Sequence, residues 1–220
     1  MATSLLYKDR KDAGRTLANF LSQYESENPI ILLVPRGGVE VGLETINRYH
    51  FDWDLIIPRK LGAPHNQEVA IGAVSMDGNY LLFEEYIHHI DVSEEYIQQQ
   101  IQQEVAEIKR RSFTYRGTDT FPAVKDRTVI LIDDGMATGF TLLAAVKSIH
   151  THEPKKIILA VPVAPTETIE AFRQFVDEII CLHSIDHFTS VGAYYEHFNQ
   201  ITDDQMKDYL EKLHHQSKIS

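Results

Sequence analysis

A parallel α/β fold is the architecture this sequence predicts, and three observations predict it. Short unbroken apolar runs, almost all Ile, Leu and Val, recur at residues 30–34, 129–132 and 157–161, with the length and continuous hydrophobicity of strands buried on both faces. Between them lie segments whose apolar residues recur every three or four positions, the spacing of amphipathic helices. The joints from run to helical segment carry Gly and Pro, the residues that punctuate turns. Strands alternating with helices give a parallel sheet with helices on both faces.

Composition narrows the partners. The chain has 220 residues, 43% hydrophobic and 24% charged, which suits one compact domain with a small addition. A formal net charge of -11 argues against general affinity for nucleic acid or an anionic membrane surface. A polyanionic small molecule stays compatible if positive charge is gathered locally. One cysteine, Cys181, excludes an intramolecular disulfide and a CxxC motif. The first ten residues, MATSLLYKDR, lack the apolar centre of a signal peptide, and no apolar run reaches transmembrane length. The expected location is the cytoplasm.

Taken in order, residues 9–24 place Ala13, Leu17, Phe20 and Leu21 at helical spacing. Pro29 opens the strand 30–34, which runs into Pro35-Arg36-Gly37-Gly38 and a helix carrying Val39, Val41, Leu43 and Ile46. A strand, a Gly-Gly turn and a helix start supply unpaired backbone N–H groups beside an arginine. A second core strand is expected at 54–57, followed by the Gly/Pro-punctuated loop PRKLGAPH with the adjacent cations Arg59 and Lys60. Residues 70–75 and 80–83 read as two strands joined by a turn at 76–79. Ile97, Ile101, Val105 and Ile108 mark a long amphipathic helix over 93–111. Arg110, Arg111 and Arg116 lie at or just past its C-terminus, where cations are favoured.

Further on, a strand is expected at 157–161, then Pro162-Val163-Ala164-Pro165, with Thr166 as a helix cap. Residues 178–182 form the last core strand. The tail over 183–210 is rich in aromatic and His residues. His183 and His187 have i, i+4 spacing, but no further ligand motif accompanies them.

The stretch that organises the chain is 129–141, VILIDDGMATGFT. A buried-type strand ends in two carboxylates, Asp133 and Asp134. A small-residue turn follows, Gly135-Met136-Ala137-Thr138-Gly139, and a new helical period begins at Leu142. The N–H groups at such a helix start, with the hydroxyls of Thr138 and Thr141, form a cup for a phosphate at the positive end of the helix dipole. Carboxylates beside the cup would repel the phosphate unless they hold something else, and sugar hydroxyls or a water-bridged metal suit them. Phosphate next to vicinal hydroxyls describes a ribose 5-phosphate. A P-loop hydrolase would need G-x-x-x-x-G-K-[ST], which is missing from the sequence.

This motif resembles the 5-phosphoribosyl-1-pyrophosphate (PRPP) binding motif of the type I phosphoribosyltransferases. It matches in the strand, the Asp-Asp pair, the Thr-Gly turn and the closing Thr; Gly135 departs mildly, since an aliphatic residue is commoner there. The similarity extends to the Arg36-Gly37-Gly38 loop, to PRKLGAPHNQEVAIGAVSMDG and to the tail pattern Phe188-x-x-Val191-Gly192-x-x-Tyr195-x-x-Phe198, as in a largely uncharacterised subgroup. The resemblance implies one phosphoribosyltransferase domain over 1–220. Its core would span about 28–182, its flexible flap about 59–85 and its hood about 183–212, together with the N-terminus.

What the resemblance implies for function follows residue by residue. A 5-phosphoribosyl group passes from PRPP to a nitrogenous acceptor, a nucleobase or related amine, with release of pyrophosphate. Asp133 and Asp134 are the catalytic pair on the ribose. Gly135, Met136, Ala137, Thr138, Gly139 and Thr141 cradle the 5-phosphate. Arg36, Gly37, Gly38, Arg59 and Lys60 bind pyrophosphate. Val163, Phe188, Tyr194 and Tyr195 grip the acceptor. Mg²⁺ is carried mainly by PRPP, with water-mediated contact to Asp133 and Asp134. A small-molecule acceptor is the partner, a homodimer stays open, and neither nucleic acid nor membrane is expected. A catalytically weak PRPP-sensing regulator is the alternative. In the 6-oxopurine branch of the family, the position of Ala137 carries an aspartate aimed at the purine N7, so an acceptor of another kind is expected here.

Overall fold

The structure, a computed structural model, describes residues 5–217. In chain order its elements are α1 (Arg10–Leu21), a 3-10 turn (Ser22–Glu27), β1 (Ile30–Leu33), α2 (Gly37–Tyr49), β2 (Asp52–Leu55), β3 (Arg59–Ala63), β4 (Asn66–Val74), β5 (Tyr80–Leu82), α3 (Glu84–His89), α4 (Glu94–Arg116), β6 (Thr128–Ile132), α5 (Phe140–Thr151), β7 (Lys156–Pro165), α6 (Thr166–Phe172), β8 (Glu178–Ile185), a second 3-10 turn (Val191–Tyr194) and α7 (Asp203–Ser217). They form two compact units. The first is built from the chain up to Leu55, Val124–Thr138 and the chain from Glu153 onward; the second is built from Ile56–Ala123 and Gly139–His152.

In the first unit, five parallel strands lie in the order β2-β1-β6-β7-β8, flanked by helices. β1 and β6 are buried at every residue because each has a strand on both sides and helices above the sheet. Ile30 pairs with Val129 and Leu33 with Ile132, so the two strands end together. α1 begins at Asp9, whose side chain accepts the Asp12 N–H at 2.8 Å, and buries Ala13, Leu17 and Leu21. It packs on α2, and at Gly14 a Cβ would lie 2.4 Å from the Val41 carbonyl oxygen, so the crossing admits only glycine. Leu17 is fully buried, and its truncation to alanine would cost about 2–5 kcal/mol.

Several bounds differ from the sequence expectation, each for a pairing reason. β2 covers Asp52–Leu55 rather than 54–57, because its register with β1 starts at Ile30 and Asp52. Ile56 and Ile57 leave the strand but stay buried, which explains their apolar character. β7 continues through the Pro162–Pro165 stretch because β8 runs on to Ile185 and pairs with it that far. Pro165, not Thr166, occupies the cap position of α6, and the Thr166 hydroxyl donates to Asp186 at 2.7 Å. The tail also contains α7, which buries Met206, Tyr209, Leu210 and Leu213 and packs on α2.

The second unit holds a three-stranded antiparallel sheet, β3-β4-β5. Residues 59–63, expected in a loop, are a strand because β4 supplies a partner: Arg59 pairs with Val74 and Lys60 with Ala73, with irregular register around Gly62. Leu61, Ile71 and Val74 form one core with Ile97, Ile101 and Ile108 of α4. That helix is capped by Ser93, which accepts the Tyr96 N–H, and closed by Gly117 at φ 71°. Most of the stretch expected as a flap is thus this sheet. Among the described residues, no helix is long and apolar enough to cross a membrane.

Candidate active site

The acidic pair sits where β6 ends. Thr128–Ile132 is buried throughout, so the first residues free of the sheet are Asp133 and Asp134 at its carboxyl edge, where parallel sheets bind ligands. The Asp134 N–H donates to Asp133 Oδ1 at 2.8 Å, and the Tyr195 hydroxyl donates to the Asp134 carbonyl at 2.6 Å. Arg10, at the start of α1, donates from Nε to Asp134 Oδ2 at 2.7 Å. Its Nη1 donates to the Asn199 carbonyl at 2.9 Å and lies 3.9 Å from Glu40 Oε2. The guanidinium stands 3.8 Å over the Phe198 ring. Burial, and then the charge of Asp134, push the Asp133 carboxyl well above the ordinary carboxylate range. Burial also raises Asp134, with the Arg10 guanidinium pulling the other way.

The Arg36 loop packs directly on this pair. The Val34 N–H bonds to the Ile132 carbonyl at 3.0 Å, which ties the end of β1 to the end of β6. The Pro35–Arg36 peptide is cis. A Cβ on Gly37 would lie 1.9 Å from Asp134 Oδ2, and one on Gly38 would lie 2.4 Å from the Ile132 carbonyl oxygen. The two glycines therefore let the start of α2 approach the carboxylates. Arg36 turns to α7: Nη1 donates to the Ile201 carbonyl at 2.5 Å and Nη2 pairs with Asp203 at 2.7 Å.

After the acidic pair, the Met136 N–H donates to the Val163 carbonyl at 2.9 Å, and the Thr168 hydroxyl donates to the Ala137 carbonyl at 2.9 Å. Gly135 has a local cause. A Cβ there would lie 2.5 Å from Val191 Cγ1 and 3.2 Å from Val163 Cγ1, so the aliphatic residue common at this point elsewhere has no room. Ala137 and Thr138 are exposed, and with Pro165, Thr168, Phe188 and Thr189 they line a cleft of about 580 Å³. The Phe188 ring stacks on Tyr194 with centroids 5.3 Å apart.

The other aromatic candidates face inward. Tyr194 and Tyr195 are each 3% exposed, and Val163 is fully buried; all three belong to a core with Tyr7. The N-terminal segment zips onto this tail: Leu6 N–H to the Tyr194 carbonyl, Glu196 N–H to the Tyr7 carbonyl and His197 N–H to the Lys8 carbonyl, each at 2.9 Å. The N-terminal segment and the tail are thus held together by backbone bonds.

The remaining candidates belong to the second unit. Arg59 opens β3 and pairs with Glu104 of α4, while Lys60 follows it on the strand, exposed. Gly139 precedes α5 at φ 74°, a left-handed conformation that favours glycine, and its carbonyl accepts the Leu143 N–H at 2.8 Å. Gly139 has no side chain with which to cap α5, and among the described residues no side-chain cap bond closes that end.

Residues 4–197 match the family model of the phosphoribosyl transferase domain. The chain belongs to that family. Proteins from two strains of Mycobacterium tuberculosis, both provisionally named as phosphoribosyl transferases, are 34% identical over 210 residues, which is 95% of this chain and 47% of theirs. The chain thus spans about half the length of these curated relatives. The crystal structure of a Thermus thermophilus protein is similar at a TM-score of 0.77 with 33% identity, covering 94% of this chain and 98% of that one. A Neisseria gonorrhoeae protein solved with bound ppGpp shares the fold at a TM-score of 0.50 and 9% identity, over 96% and 97% of the two chains.

For a phosphoribosyl transferase domain, the first unit gathers Arg36, Gly37, Gly38, Asp133 and Asp134 at one sheet edge, with Gly135–Thr138 continuing from them. Sequence reasoning missed Arg10 and the inward role of Tyr195. The family implies Mg²⁺ with PRPP, and the donor set fits such an ion. Among the described residues no three His, Cys, Asp or Glu side chains gather into a metal cage, whereas two adjacent carboxylates suit a hydrated ion that also binds substrate phosphates.

Proposed function

We propose that this chain transfers the 5-phosphoribosyl group of PRPP to a nitrogenous acceptor and releases pyrophosphate. The observation that carries this reading is the packing of the acidic pair. A strand end delivers two carboxylates between the Gly37-Gly38 turn and the Gly135–Thr138 loop, close enough to Gly37 to exclude a Cβ. Family membership supports it.

Breaking the C1–O bond leaves an oxocarbenium-like ribose and an anionic leaving group. Asp133 and Asp134 hold the ribose hydroxyls and favour the cationic ring by charge. The N–H groups and hydroxyls of Gly135–Thr138, Gly139 and Thr141 hold the 5-phosphate. Arg36, with the backbone of Gly37 and Gly38, takes the pyrophosphate, and Arg59 and Lys60 are the candidates the sequence adds for the same group. Mg²⁺, when bound with PRPP, supplies further neutralisation of the leaving charge. No covalent nucleophile is required, so positioning and electrostatics carry the rate. The acceptor enters the cleft beside Ala137 and Thr138 with the Phe188 ring as one wall. The Ala137 side chain offers no proton acceptor, so a base other than a 6-oxopurine is the expected acceptor unless Glu167, Asp186 or His187 of the same cleft supplies that group.

The deciding experiment incubates the protein with Mg²⁺-PRPP and a panel of nucleobases and amines, with pyrophosphate as the readout. Release that depends on one acceptor supports the reading. A second reading, PRPP sensing with little turnover, is favoured by one observation: Arg36 and Arg59, both candidates for pyrophosphate, are each paired with a carboxylate. A PRPP-dependent rise in melting temperature, with no pyrophosphate released by any acceptor, would select it.

A further inference from the structure

Arg10 lies outside every motif that pointed to the site, yet its side chain is only 8% exposed and its closest ionic partner is Asp134. An arginine stays charged under all ordinary conditions, so burying it this deeply demands fixed partners on every side. The structure provides them: Asp134 Oδ2 at 2.7 Å, the Asn199 carbonyl at 2.9 Å, the Phe198 face at 3.8 Å and, more distantly, Glu40 at 3.9 Å. Glu40 is itself held by the Tyr209 hydroxyl at 2.8 Å.

Two independent features converge on the same oxygen. Asp134 Oδ2 receives the Arg10 Nε–H and also lies where Gly37 has no Cβ. The backbone of Asp134 is fixed as well, through its N–H to Asp133 and its carbonyl to Tyr195. The Arg10 bond engages Oδ2, one of the two carboxylate oxygens of Asp134. We propose that Arg10 is a positioning residue of the ribose site: it pins one oxygen of Asp134, so that the other is presented in one orientation to a ribose hydroxyl. The inference rests on the phosphoribosyl reading above. Arg10 acts through Asp134 and needs no contact with the ligand.

The test measures binding of ribose 5-phosphate, PRPP and pyrophosphate, with Mg²⁺, to the wild type, Arg10→Gln, Arg10→Lys, Asp134→Asn and the Arg10→Gln/Asp134→Asn double variant. Arg10→Gln should weaken ribose 5-phosphate and PRPP by about tenfold or more, the scale of one lost polar contact, and leave pyrophosphate within about twofold. Arg10→Lys should recover part of the loss. In the Asp134→Asn background, Arg10→Gln should add no further loss, because the group it positions is gone. Equal weakening of all three ligands would reveal a merely structural ion pair and overturn the proposal, as would additive losses in the double variant. If Arg10→Gln fails to fold, Arg10→Lys decides: a ribose-selective loss supports the proposal and a uniform or absent one overturns it. A wild type that binds pyrophosphate but not ribose 5-phosphate would overturn the phosphoribosyl reading itself. Normal binding by both the wild type and Arg10→Gln would remove Arg10 alone.

Discussion

Gly37→Ala should injure the site by displacing one carboxylate. The added methyl would sit 1.9 Å from Asp134 Oδ2 and 2.4 Å from its Cγ, and real Cβ contacts essentially never fall below 3.0 Å. The carboxylate must therefore retreat by about 1.1 Å (3.0 minus 1.9) or the start of α2 must lift. Since the Arg10 bond is 2.7 Å, a shift of that size breaks it unless Arg10 follows. A hydrogen bond to a charged group contributes about 1.5–3 kcal/mol, and alanine in a helix regains roughly 0.5–1 kcal/mol over glycine. The net loss is then about 0.5–2.5 kcal/mol. For a chain of this size each kcal/mol lowers the melting temperature by about 2–4 °C, so a drop of about 1–10 °C is expected.

Gly38→Ala is the matched control. Its methyl would meet the Ile132 carbonyl oxygen at 2.4 Å and Asp133 Cα at 3.0 Å, which are backbone atoms that cannot rotate away. Overpacking of this kind costs about 1–3 kcal/mol, but it leaves the Asp134 carboxylate unobstructed. In differential scanning fluorimetry both variants should melt earlier than the wild type without ligand. The rise on adding Mg²⁺-PRPP should fall further in Gly37→Ala, which obstructs the Asp134 carboxylate directly, than in Gly38→Ala. A Gly37→Ala protein that keeps the full PRPP response would refute the assignment of Asp134 to the ribose.

Three further outcomes are expected. Asp133→Asn should raise the melting temperature of the ligand-free protein at neutral pH, because burial and Asp134 hold its carboxyl above its unfolded-state value. For an acid raised in this way, native stability is greatest below the unfolded pKa and is lost as pH rises through the folded one. The gain from Asn should therefore vanish as pH falls toward about 4, and a gain that is flat with pH would contradict it. Thr138→Val and Thr141→Val should weaken ribose 5-phosphate and PRPP, whereas Arg36→Ala and Lys60→Ala should weaken pyrophosphate and PRPP but spare ribose 5-phosphate; equal losses in a calorimetric titration would mean the two phosphate ends are misassigned. Hypoxanthine and guanine should be poor substrates of the wild type, and Ala137→Asp should improve them by more than it improves adenine, on the scale of about 10²–10⁴-fold for a restored acid–base group; efficient wild-type turnover of either base in a steady-state assay would end the claim.

The central strands were legible because burial on both faces demands unbroken apolar runs, and β1 and β6 have that character at every residue. β3 was not, since its pairing comes from β4 and nothing in Arg59-Lys60-Leu61-Gly62 shows a strand locally. α7 left a signal that the aromatic tail obscured: Met206, Tyr209, Leu210 and Leu213 recur at the i, i+3, i+4, i+7 spacing of a buried helix face. Arg10 left one too. It precedes Ala13, Leu17 and Leu21 on the buried stripe of α1, so an arginine stood on the face that should be apolar. Its partner is 124 residues away, and no local pattern encodes that distance. Tyr195 shows the opposite error of inference. Its aromatic type suggested a ligand-facing ring, but the fold spends it on Tyr7, Phe198 and the Asp134 carbonyl.

The two arginine candidates, Arg36 and Arg59, differ in how readily they can turn to an anion, and that difference bears on transfer against sensing. The partner of Arg36 is Asp203, 73% exposed, and an ion pair so open to water contributes about 0–1 kcal/mol. A pyrophosphate would offer the same guanidinium a denser charge and two-point hydrogen bonding, so it would displace Asp203 at little loss. Arg59 is held by Glu104, which is only 14% exposed, and removing a partly buried carboxylate from its cation is harder. The Arg36 loop also carries Gly37, which lies against Asp134, and Gly38, which lies against Ile132 and Asp133, so a shift of this loop would reach the acidic pair. An anion that drew Arg36 away from α7 would therefore act on the same loop that lies against Asp134. Under either proposed reading, that linkage would couple the pyrophosphate end of the ligand to its ribose end within the first unit.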